Sequence, residues 1–470
     1  MRAHEAGALH ADAGHPAPPW LRVPDDVNAL LPQLWPTHVC RGDDGALQVA
    51  GVPVTEIARE FATPAYVVDE EDLRARARDF RDAFAAAFDG RADVYYAGKA
   101  LLTTAVARWV VEEGLNLDVC TGGELALALR AGVPGRRIGL HGNNKSLAEL
   151  EAALDAKVGR VILDCFEEID RLAELAARRG VRAPVLLRVT VGVEAHTHEY
   201  IATAHEDQKF GFSLAGGQAA EAVRRVLAAP SLELRGLHSH IGSQIFDDAG
   251  FEVSARRVIG LAAEVRDEHG IELPELDLGG GFGIAYTSQD DPAPASVHAA
   301  RLREIVGDEC RSAGLAMPHV SVEPGRAIAG PAVFTVYEVG VVKPVEVGPG
   351  LVRTYVAVDG GMSDNVRPAL YDASYSCTLA SRASDAAPVL ARVVGKHCES
   401  GDIVVKDEFL PGDVAPGDLI AVPGTGAYCR SMASNYNHVP RPPVVAVRDG
   451  SARLIVRRET VEDLLGLEMP

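Results

Sequence analysis

The sequence predicts an α/β fold that joins a (β/α)₈ TIM barrel to a second, antiparallel β-barrel or sandwich domain built from both chain ends. Three observations lead to this prediction. The chain has 470 residues, which is too long for one ordinary domain and suits two. Between about residue 90 and residue 326, short apolar runs alternate with helical patterns. Beyond residue 326, strands follow one another with little helix.

Eight candidate strands lie in the alternating region. Eight strand–helix units over roughly 240 residues fit a closed barrel better than an open sheet. The stretches between the strands carry the 3.6-residue period of helices, as in residues 146–154 and 168–179. Ser146 and Glu149 form a predicted capping box at the start of the first of these helices. The strands are predicted to begin near Val94, Asn116, Ile138, Arg160, Val185, Arg235, Leu276 and Val320.

The β domain is predicted because the short strands after residue 326 are separated by turns rich in proline and glycine. Residues 47–68 show the same pattern of short strands and would add one or two strands, so this domain would be built from both chain ends. The predicted domains are a disordered lead over 1–20, a β domain over 21–70 and 331–470, and a barrel over 71–330. The later strands are predicted at 333–342, 352–358, 389–394, 403–405, 419–422, 444–447 and 454–456.

Composition and charge exclude several classes of function. A formal net charge of −20 argues against a nucleic-acid-binding protein, which needs a clustered basic face. No uncharged apolar run approaches the roughly 18 residues of a spanning helix, and the first residues lack a signal-peptide core. We therefore expect a cytoplasmic protein without membrane contact. The seven cysteines are scattered without Cys-x-x-Cys spacing, which indicates reduced thiols and neither a disulfide framework nor a zinc site.

Lys99 is the first candidate for catalysis. It follows the apolar run 94–97 by two residues, where a buried strand would meet its loop. A lysine at the rim of an apolar pocket can lose its proton and attack a carbonyl, as a Schiff-base lysine must. Catalytic groups of a (β/α)₈ barrel gather at the carboxyl ends of its strands, and these ends are unusually polar here. The other polar strand ends are 141–145, 238–243, 279–283 and 323–326.

These strand ends together describe a site for pyridoxal phosphate. The glycine run 279–283 follows the seventh strand, where barrels of this kind bind phosphate through backbone N–H groups. Glu323 follows the eighth strand and would pair with the pyridine nitrogen, which keeps the ring an electron sink. His238 would lie against the face of the ring. No metal is predicted.

Four segments carry a family resemblance: 95–100, 236–244, 279–283 and 323–326. With them the chain resembles the fold-type III pyridoxal phosphate decarboxylases and, within these, the diaminopimelate decarboxylases. The resemblance runs from about Phe61 to the C-terminus. It implies that Lys99 holds the cofactor and that His238 has a catalytic role. The remaining cofactor-binding residues that it implies are Gly280, Gly281, Glu323, Pro324, Gly325, Arg326 and Tyr428.

The resemblance also assigns residues in the β domain. The positions matching Cys398 and Glu399 come from the partner subunit in the family, which implies a homodimer with shared active sites. Cys398 would be the proton donor, and Glu399 would lie near the substrate's amino group. Tyr428 matches a residue that touches both cofactor and substrate. The other six cysteines are expected to be structural.

The arginines indicate the substrate. The planar fork of arginine binds a carboxylate through two hydrogen bonds, so Arg326 and Arg367 suit an amino acid with a second, distal carboxylate. Tyr371 is predicted to bind the same group. The expected reaction is decarboxylation of meso-2,6-diaminopimelate to L-lysine and carbon dioxide, the last step of lysine biosynthesis.

Three alternatives stay open at this point. A decarboxylase of ornithine, arginine or a polyamine precursor would share the scaffold, but the Arg367 loop argues against it. An amino-acid racemase would need a second base opposite Lys99, and the sequence offers no clear candidate. A non-catalytic homologue that binds pyridoxal phosphate is disfavoured by the intact set of Lys99, His238, Glu323 and Cys398.

Overall fold

A computed structural model describes residues 17–192, 209–247 and 249–469. The predicted disordered lead, residues 1–20, lies outside the described residues except for 17–20. Within 17–20, the Pro18 carbonyl accepts the N–H of Leu21, which follows this stretch, at 3.0 Å. The described α-helices are α1 (Val54–Phe61), α2 (Glu70–Ala87), α3 (Thr104–Glu112), α4 (Gly122–Arg130), α5 (Leu147–Ala156), α6 (Phe166–Arg179), α7 (Gln218–Ala228), α8 (Ala249–His269), α9 (Ala295–Ala313), α10 (Arg326–Ala329), α11 (Arg367–Tyr371) and α12 (Val461–Leu465).

The described strands are β1 (Val39–Arg41), β2 (Leu47–Val49), β3 (Val52–Pro53), β4 (Ala65–Asp69), β5 (Ala92–Ala97), β6 (Asn116–Val119), β7 (Ile138–Leu140), β8 (Arg160–Leu163), β9 (Ala183–Thr190), β10 (Phe212–Ser213), β11 (Leu232–His238), β12 (Glu275–Asp277), β13 (His319–Val322), β14 (Val333–Gly348), β15 (Leu351–Val358), β16 (Thr378–Leu379), β17 (Pro388–Val394), β18 (Ile403–Pro411), β19 (Leu419–Pro423), β20 (Val444–Arg448) and β21 (Ser451–Val456). Short 3₁₀ helices span Gly98–Ala100, Gly135–Arg137, Arg430–Met432 and Tyr436–His438. Every helix among the described residues is too short or too polar to cross a membrane.

The chain divides into two compact units. The barrel unit consists of the described residues within Arg74–Gly283 and Pro292–Ile328. The β unit consists of the described residues up to Leu73, the segment Ile284–Asp291 and the described residues from Ala329 onward.

Eight parallel strands close the barrel unit, which confirms the predicted TIM barrel. Their order is β5, β6, β7, β8, β9, β11, β12 and β13, and β13 pairs back to β5. The short strand β10 pairs with β9 outside this ring. All eight barrel strands begin within a few residues of the predicted positions. Because all strands run in one direction, their carboxyl ends meet at one rim, and that rim positions the candidate site.

Local sequence accounts for the helices around the barrel. The predicted capping box is present at the start of α5: the Glu149 N–H donates to Ser146 Oγ at 3.2 Å, and the Ser146 N–H donates to the Glu149 carboxylate at 2.9 Å. These bonds satisfy backbone donors that the first turn of a helix leaves without partners. The helix predicted over 168–179 is α6, which begins two residues earlier and ends before Gly180 in the left-handed conformation.

The β unit is a mainly antiparallel sheet to which both chain ends contribute, as predicted. Its strands lie in the order β18, β17, β15, β14, β4, β20 and β21, while β19 pairs with β14 and β16. The early strand β4 lies between β14 and β20. Two pairs are parallel, β15 with β17 and β4 with β20. A small sheet of β1, β2 and β3 packs with α1 into the same apolar core, where the rings of Trp35 and Phe334 lie 5.9 Å apart.

Candidate active site

Lys99 lies at the carboxyl end of β5, in the 3₁₀ turn Gly98–Ala100, and its side chain is exposed. The turn requires glycine at position 98, because a Cβ there would lie 2.8 Å from the Asp118 carbonyl oxygen. The charge of Lys99 acts on two neighbours at the rim. Burial lowers the pKa of His240 well below its ordinary value, and Lys99 lowers it further. Burial raises the pKa of Cys120 to about 12, against the effect of Lys99.

Glu323 follows β13 and is a buried carboxylate held by two histidines. His141 Nε2 lies 3.0 Å from Glu323 Oε1, and His238 Nε2 lies 3.3 Å from the same oxygen. Burial alone would raise the pKa of Glu323, but the two imidazoles outweigh burial and hold it well below its ordinary value. Glu323 is therefore ionised.

The two histidines differ in charge although their rings lie only 5.1 Å apart. Burial acts to lower the pKa of His141, but Asp118 and Glu323 raise it to about 9. The Asp118 carboxylate lies 3.2 Å from His141 Nε2. Burial lowers the pKa of His238 to about 4, in spite of Glu323. At neutral pH the cluster thus consists of a cationic His141, a neutral His238 and an anionic Glu323.

His238 and His240 occupy different surroundings. His238, the last residue of β11, is 1% exposed and faces Glu323. His240 is only partly buried, and its Nδ1 accepts the Gly280 N–H at 3.2 Å. The position of His238 suits a residue that holds Glu323, whereas His240 lies beside the glycine run and within reach of the charge of Lys99.

The glycine run lies where backbone segments approach closely. A Cβ on Gly280 would lie 2.2 Å from the Glu323 carbonyl oxygen. Gly281 has φ +113°, and its Cβ would lie 2.5 Å from the Gly242 carbonyl oxygen. No residue with a side chain fits either position without moving the backbone. The run therefore presents bare backbone at the rim.

The loop after β13 closes against the strand that carries Lys99. A Cβ on Gly325 would lie 2.9 Å from the Cβ of Ala97, two residues before Lys99. Pro324 is buried, and the Arg326 side chain donates to Ser243 Oγ at 2.7 Å. The structure thus brings the predicted cofactor-binding residues of the barrel unit to one rim.

A buried ion pair inside the barrel was absent from the sequence-based prediction. Arg160 of β8 donates to the Asp277 carboxylate and, at 3.1 Å, to Ser321 Oγ. Its guanidinium lies 3.7 Å from the ring centroid of Tyr95. Burial acts to lower the pKa of Arg160, but Asp277 and Tyr95 raise it above its ordinary value, so the guanidinium stays charged. Charged residues inside otherwise apolar strands were the available sequence signal.

In the β unit, Arg367 is the first residue of α11 and is 6% exposed. It donates to the hydroxyl of Tyr375, and its guanidinium lies 4.8 Å from the ring centroid of Tyr286. Burial acts to lower its pKa, but the two tyrosines raise it above its ordinary value. Its Nε is buried and has no hydrogen-bond partner among the described residues. Arg367 therefore retains a donor that protein groups do not satisfy.

Cys398 is exposed on the loop after β17, and Asp402 fixes that loop. The Asp402 carboxylate accepts the His397 N–H at 2.8 Å and the Met362 N–H at 2.5 Å. A Cβ on Gly361 would lie 2.4 Å from the same carboxylate, so this crossing requires glycine. Asp402 thereby joins the loop of Cys398 to the loop that leads into α11.

Two of the remaining predicted residues of the β unit, Tyr371 and Glu399, lie in or beside these loops, and Tyr428 follows β19. Tyr371 ends α11 and is partly buried, and Glu399 is partly buried directly after Cys398. Tyr428 has φ +68°, a strained conformation for a residue with a side chain. Backbone strain of this kind is concentrated at functional sites, where the surrounding structure enforces it.

Comparison with known proteins identifies the family. Residues 70–330 match the family model described as "Pyridoxal-dependent decarboxylase, pyridoxal binding domain". The chain is 57% identical over 444 residues to the diaminopimelate decarboxylase of Mycobacterium tuberculosis, covering 94% of this chain and 98% of the relative. It is 47% identical over 426 residues to the diaminopimelate decarboxylase of Bacillus subtilis, covering 91% and 96%. The chain belongs to the diaminopimelate decarboxylase family.

Solved structures of the family agree. The diaminopimelate decarboxylase of M. jannaschii, in co-complex with L-lysine, superposes with a TM-score of 0.85 at 30% identity and covers 93% of this chain and 99% of its own. The Helicobacter pylori enzyme, complexed with L-lysine, gives a TM-score of 0.78 at 28% identity, with 88% and 98% covered. The chain is thus an enzyme, a pyridoxal phosphate-dependent carboxy-lyase.

The barrel rim fits pyridoxal phosphate. Glu323 Oε1 and His141 Nε2 are both buried and make no well-aligned hydrogen bond, so the ionised Glu323 keeps acceptor capacity for a protonated ring nitrogen. Four of the five residues in 279–283 are glycine, so the run adds few side chains of its own around backbone N–H groups that could bind a phosphate group. The ligand atoms of His141, His238 and Glu323 also lie within 4.8 Å of one another, as a metal site requires. The expected absence of a metal stays a prediction.

The charged state of His141 predicts a pH effect on stability. Its folded-state pKa of about 9 exceeds the ordinary 6.5, so the stabilisation is full below pH 6.5 and is lost as the pH rises to about 9. The loss amounts to at most about 3 kcal/mol. Between pH 6.5 and pH 9 the melting temperature of the apoenzyme should therefore fall more steeply with pH for the native chain than for His141→Gln. Equal slopes for the two proteins would contradict the assignment of a cationic His141.

Proposed function

We propose that this chain decarboxylates meso-2,6-diaminopimelate to L-lysine and carbon dioxide, with Lys99 holding the cofactor and Glu323 setting its protonation. The single observation that carries this proposal is the ionised Glu323, fixed by two imidazoles in the loop that packs against Ala97. A buried carboxylate without such partners would take up a proton and lose its charge. The relatives compared above, 57% and 47% identical to this chain, are named for the same reaction.

Pyridoxal phosphate, when bound, supplies an electron sink for the pair released as the α-carboxylate leaves. Lys99 would hold the cofactor through its aldehyde. Glu323 keeps the pyridine nitrogen protonated, and His141 and His238 keep Glu323 ionised and in place. Because His240 is partly buried beside Gly280, we assign the ring face to His240 and a positioning role to His238.

The phosphate is assigned to the bare backbone of Gly280 and Gly281 and to the loop of Pro324, Gly325 and Arg326. A glycine run after the seventh barrel strand is the position where such barrels bind phosphate. The Arg326 side chain, steadied by Ser243, stands at the start of α10 and presents a charge beside that loop.

Arg367, together with Arg326 and Tyr371, is proposed to bind the distal carboxylate of the substrate. A buried guanidinium with an unsatisfied Nε is suited to a carboxylate, since an unmade hydrogen bond at a buried donor costs about 1–3 kcal/mol. Holding the remote carboxylate orients the breaking bond, so losing this contact should lower kcat as well as raise KM.

Cys398 is proposed to return the proton to the α-carbon, Glu399 to bind the α-amino group, and Tyr428 to contact both cofactor and substrate. We propose a homodimer in which Cys398 and Glu399 of the partner subunit complete each site. Cys398 is exposed in this single chain while its loop is tightly fixed, as a residue given to a neighbouring subunit would be. All seven cysteines lie in the described part of the chain and none of them forms a disulfide, which supports a cytoplasmic location.

Substrate selection tests the proposal. The holoenzyme should form L-lysine and carbon dioxide from meso-diaminopimelate, and no amine from L-ornithine, L-arginine or L-lysine. Arg367→Lys keeps the positive charge but loses the planar guanidinium that can form two hydrogen bonds to a carboxylate. The kcat/KM for diaminopimelate should therefore fall about tenfold to a hundredfold. Arg457→Lys, a change at an exposed arginine of the same unit, is the matched control. Turnover of the basic amino acids, or an unchanged Arg367→Lys enzyme, would contradict the proposed role of Arg367.

A further inference from the structure

The β unit contains a cavity of about 400 Å³ that the proposed reaction does not use. Residues between Trp20 and Trp35 line it, together with residues 288–289, 376–378 and 408–409. The cavity lies in the volume range of sites for small organic ligands, which are mostly apolar with a few polar groups. All of its lining residues belong to the β unit.

Two acidic residues line this cavity, the partly buried Glu408 and the exposed Asp26. The Glu408 carboxylate accepts the Phe409 N–H at 2.9 Å. Burial raises the pKa of Glu408 to about 7, against hydrogen bonds from the backbone of Phe409 and Cys377 and the side chain of Ser376. Among the described residues, the groups that shift this pKa include no cation. A partly buried carboxylate that no cation neutralises beside an open cavity favours a cationic ligand.

The other lining groups define the rest of the ligand. Trp20 and Trp35 supply aromatic walls that suit an aliphatic chain and an ammonium group. Arg22 and Asp26 are exposed lining residues of opposite charge, which suit the carboxylate and the ammonium of an amino acid's α-carbon. The chemistry matches an amino acid with an aliphatic side chain that ends in an ammonium group.

We propose that this cavity binds a diamino monocarboxylic acid, with the side-chain ammonium at Glu408 and the α-carboxylate at Arg22. L-lysine, the product of the proposed reaction, is a ligand of this class. The inference therefore rests on the proposed function for the choice of ligand, but the cavity and its lining groups do not depend on it. The cavity would then be a second site for L-lysine. None of its lining residues is among those assigned to catalysis or substrate binding.

Calorimetric titration of the holoenzyme with L-lysine tests the proposal. The native chain should show two sites per subunit, one at the active site and one in the cavity. Glu408→Gln, which keeps the shape of the side chain, should lose the second site or bind it at least tenfold more weakly. Arg22→Ala should weaken the same site. Glu346→Gln, an equal change of charge at an exposed position of β14, should keep both sites.

Ligand analogues separate the two ends of the site. L-norleucine lacks the side-chain ammonium and cadaverine lacks the carboxylate, so each should bind the cavity at least tenfold more weakly than L-lysine. Tryptophan fluorescence supplies a second readout, because Trp20 and Trp35 line the cavity while Trp109 lies in α3. The fluorescence change on adding L-lysine should disappear in Glu408→Gln.

The outcomes decide the proposal. A single lysine site in the native chain, or two sites that Glu408→Gln leaves unchanged, would overturn it. Failure of the proposed function is recognised separately, since a chain inactive on diaminopimelate can still bind L-lysine in a manner that depends on Glu408. With no lysine added, the kcat and KM of Glu408→Gln should stay within about twofold of the native values, because Glu408 has no assigned part in catalysis.

Discussion

The Lys99→Ala variant is expected to lose the visible absorbance band that lysine-bound pyridoxal phosphate gives, and to lose decarboxylation by about 10³-fold or more. Lys99 is the exposed lysine at the carboxyl end of β5, in the turn that packs beside the loop of Glu323. Without it, the described part of the chain places no other amine in that turn to bind the cofactor aldehyde. Absorbance spectra of the reconstituted protein and the rate of carbon dioxide release measure the two effects.

Lys343→Ala is the matched control, because Lys343 is exposed on β14 in the other unit. It should keep both the absorbance band and the activity. A Lys99→Ala protein that retained the band would show that another amine holds the cofactor, and the assignment of the site to the β5 turn would be wrong.

The Cys398→Ala variant should keep the cofactor band but decarboxylate about 10²-fold more slowly, because it lacks the proposed proton donor. The substitution should leave the structure of the loop unchanged, because Asp402 holds the loop through the backbone amides of His397 and Met362. Cys398 is also exposed, so its replacement by alanine leaves no buried cavity. Cys40→Ala, at the other exposed cysteine, should behave as the native enzyme. Near-normal turnover of Cys398→Ala would remove this thiol from the mechanism.

Mixing the two inactive variants tests the proposed sharing of sites between subunits. In an equal mixture of Lys99→Ala and Cys398→Ala chains that exchange freely, half of the dimers are mixed. Each mixed dimer then has one site with both residues intact if the sites are shared, so about a quarter of the native activity should return. Two inactive variants that stay inactive after subunit exchange would contradict a shared site.

Local sequence was sufficient for the elements and for several of the proposed site residues. The eight barrel strands, the capping box of Ser146 and Glu149, and the position of Lys99 at a strand end follow from residues close together in the chain. The sequence predicted the ends of strands less well than their starts. The strand predicted to end at residue 342 is β14, which continues for six more residues to Gly348. It does so because it pairs with β15 across a hairpin, and Pro344 lies opposite Thr354 in that ladder.

The charged interior of the barrel depended on contacts between distant residues. Arg160 meets Asp277, 117 positions away, and Glu323 meets His141 and His238 only because the barrel closes. No periodic pattern in the sequence encodes such pairs, since a helix or strand pattern reports only which face is apolar. For the ring face the sequence favoured His238, whereas the structure places a partly buried His240 beside the glycine run, so the assignment of His240 stays our proposal.

The sequence by itself therefore determined the barrel, the β unit built from both chain ends, and the family to which the chain belongs. Tertiary structure alone decided the charge states of His141, His238 and Glu323, the burial of Arg367 between Tyr286 and Tyr375, and the cavity beside Glu408. The physical reason is that the charge of a buried group depends on lost water and on the charges around it, and both are set by residues far apart in the chain.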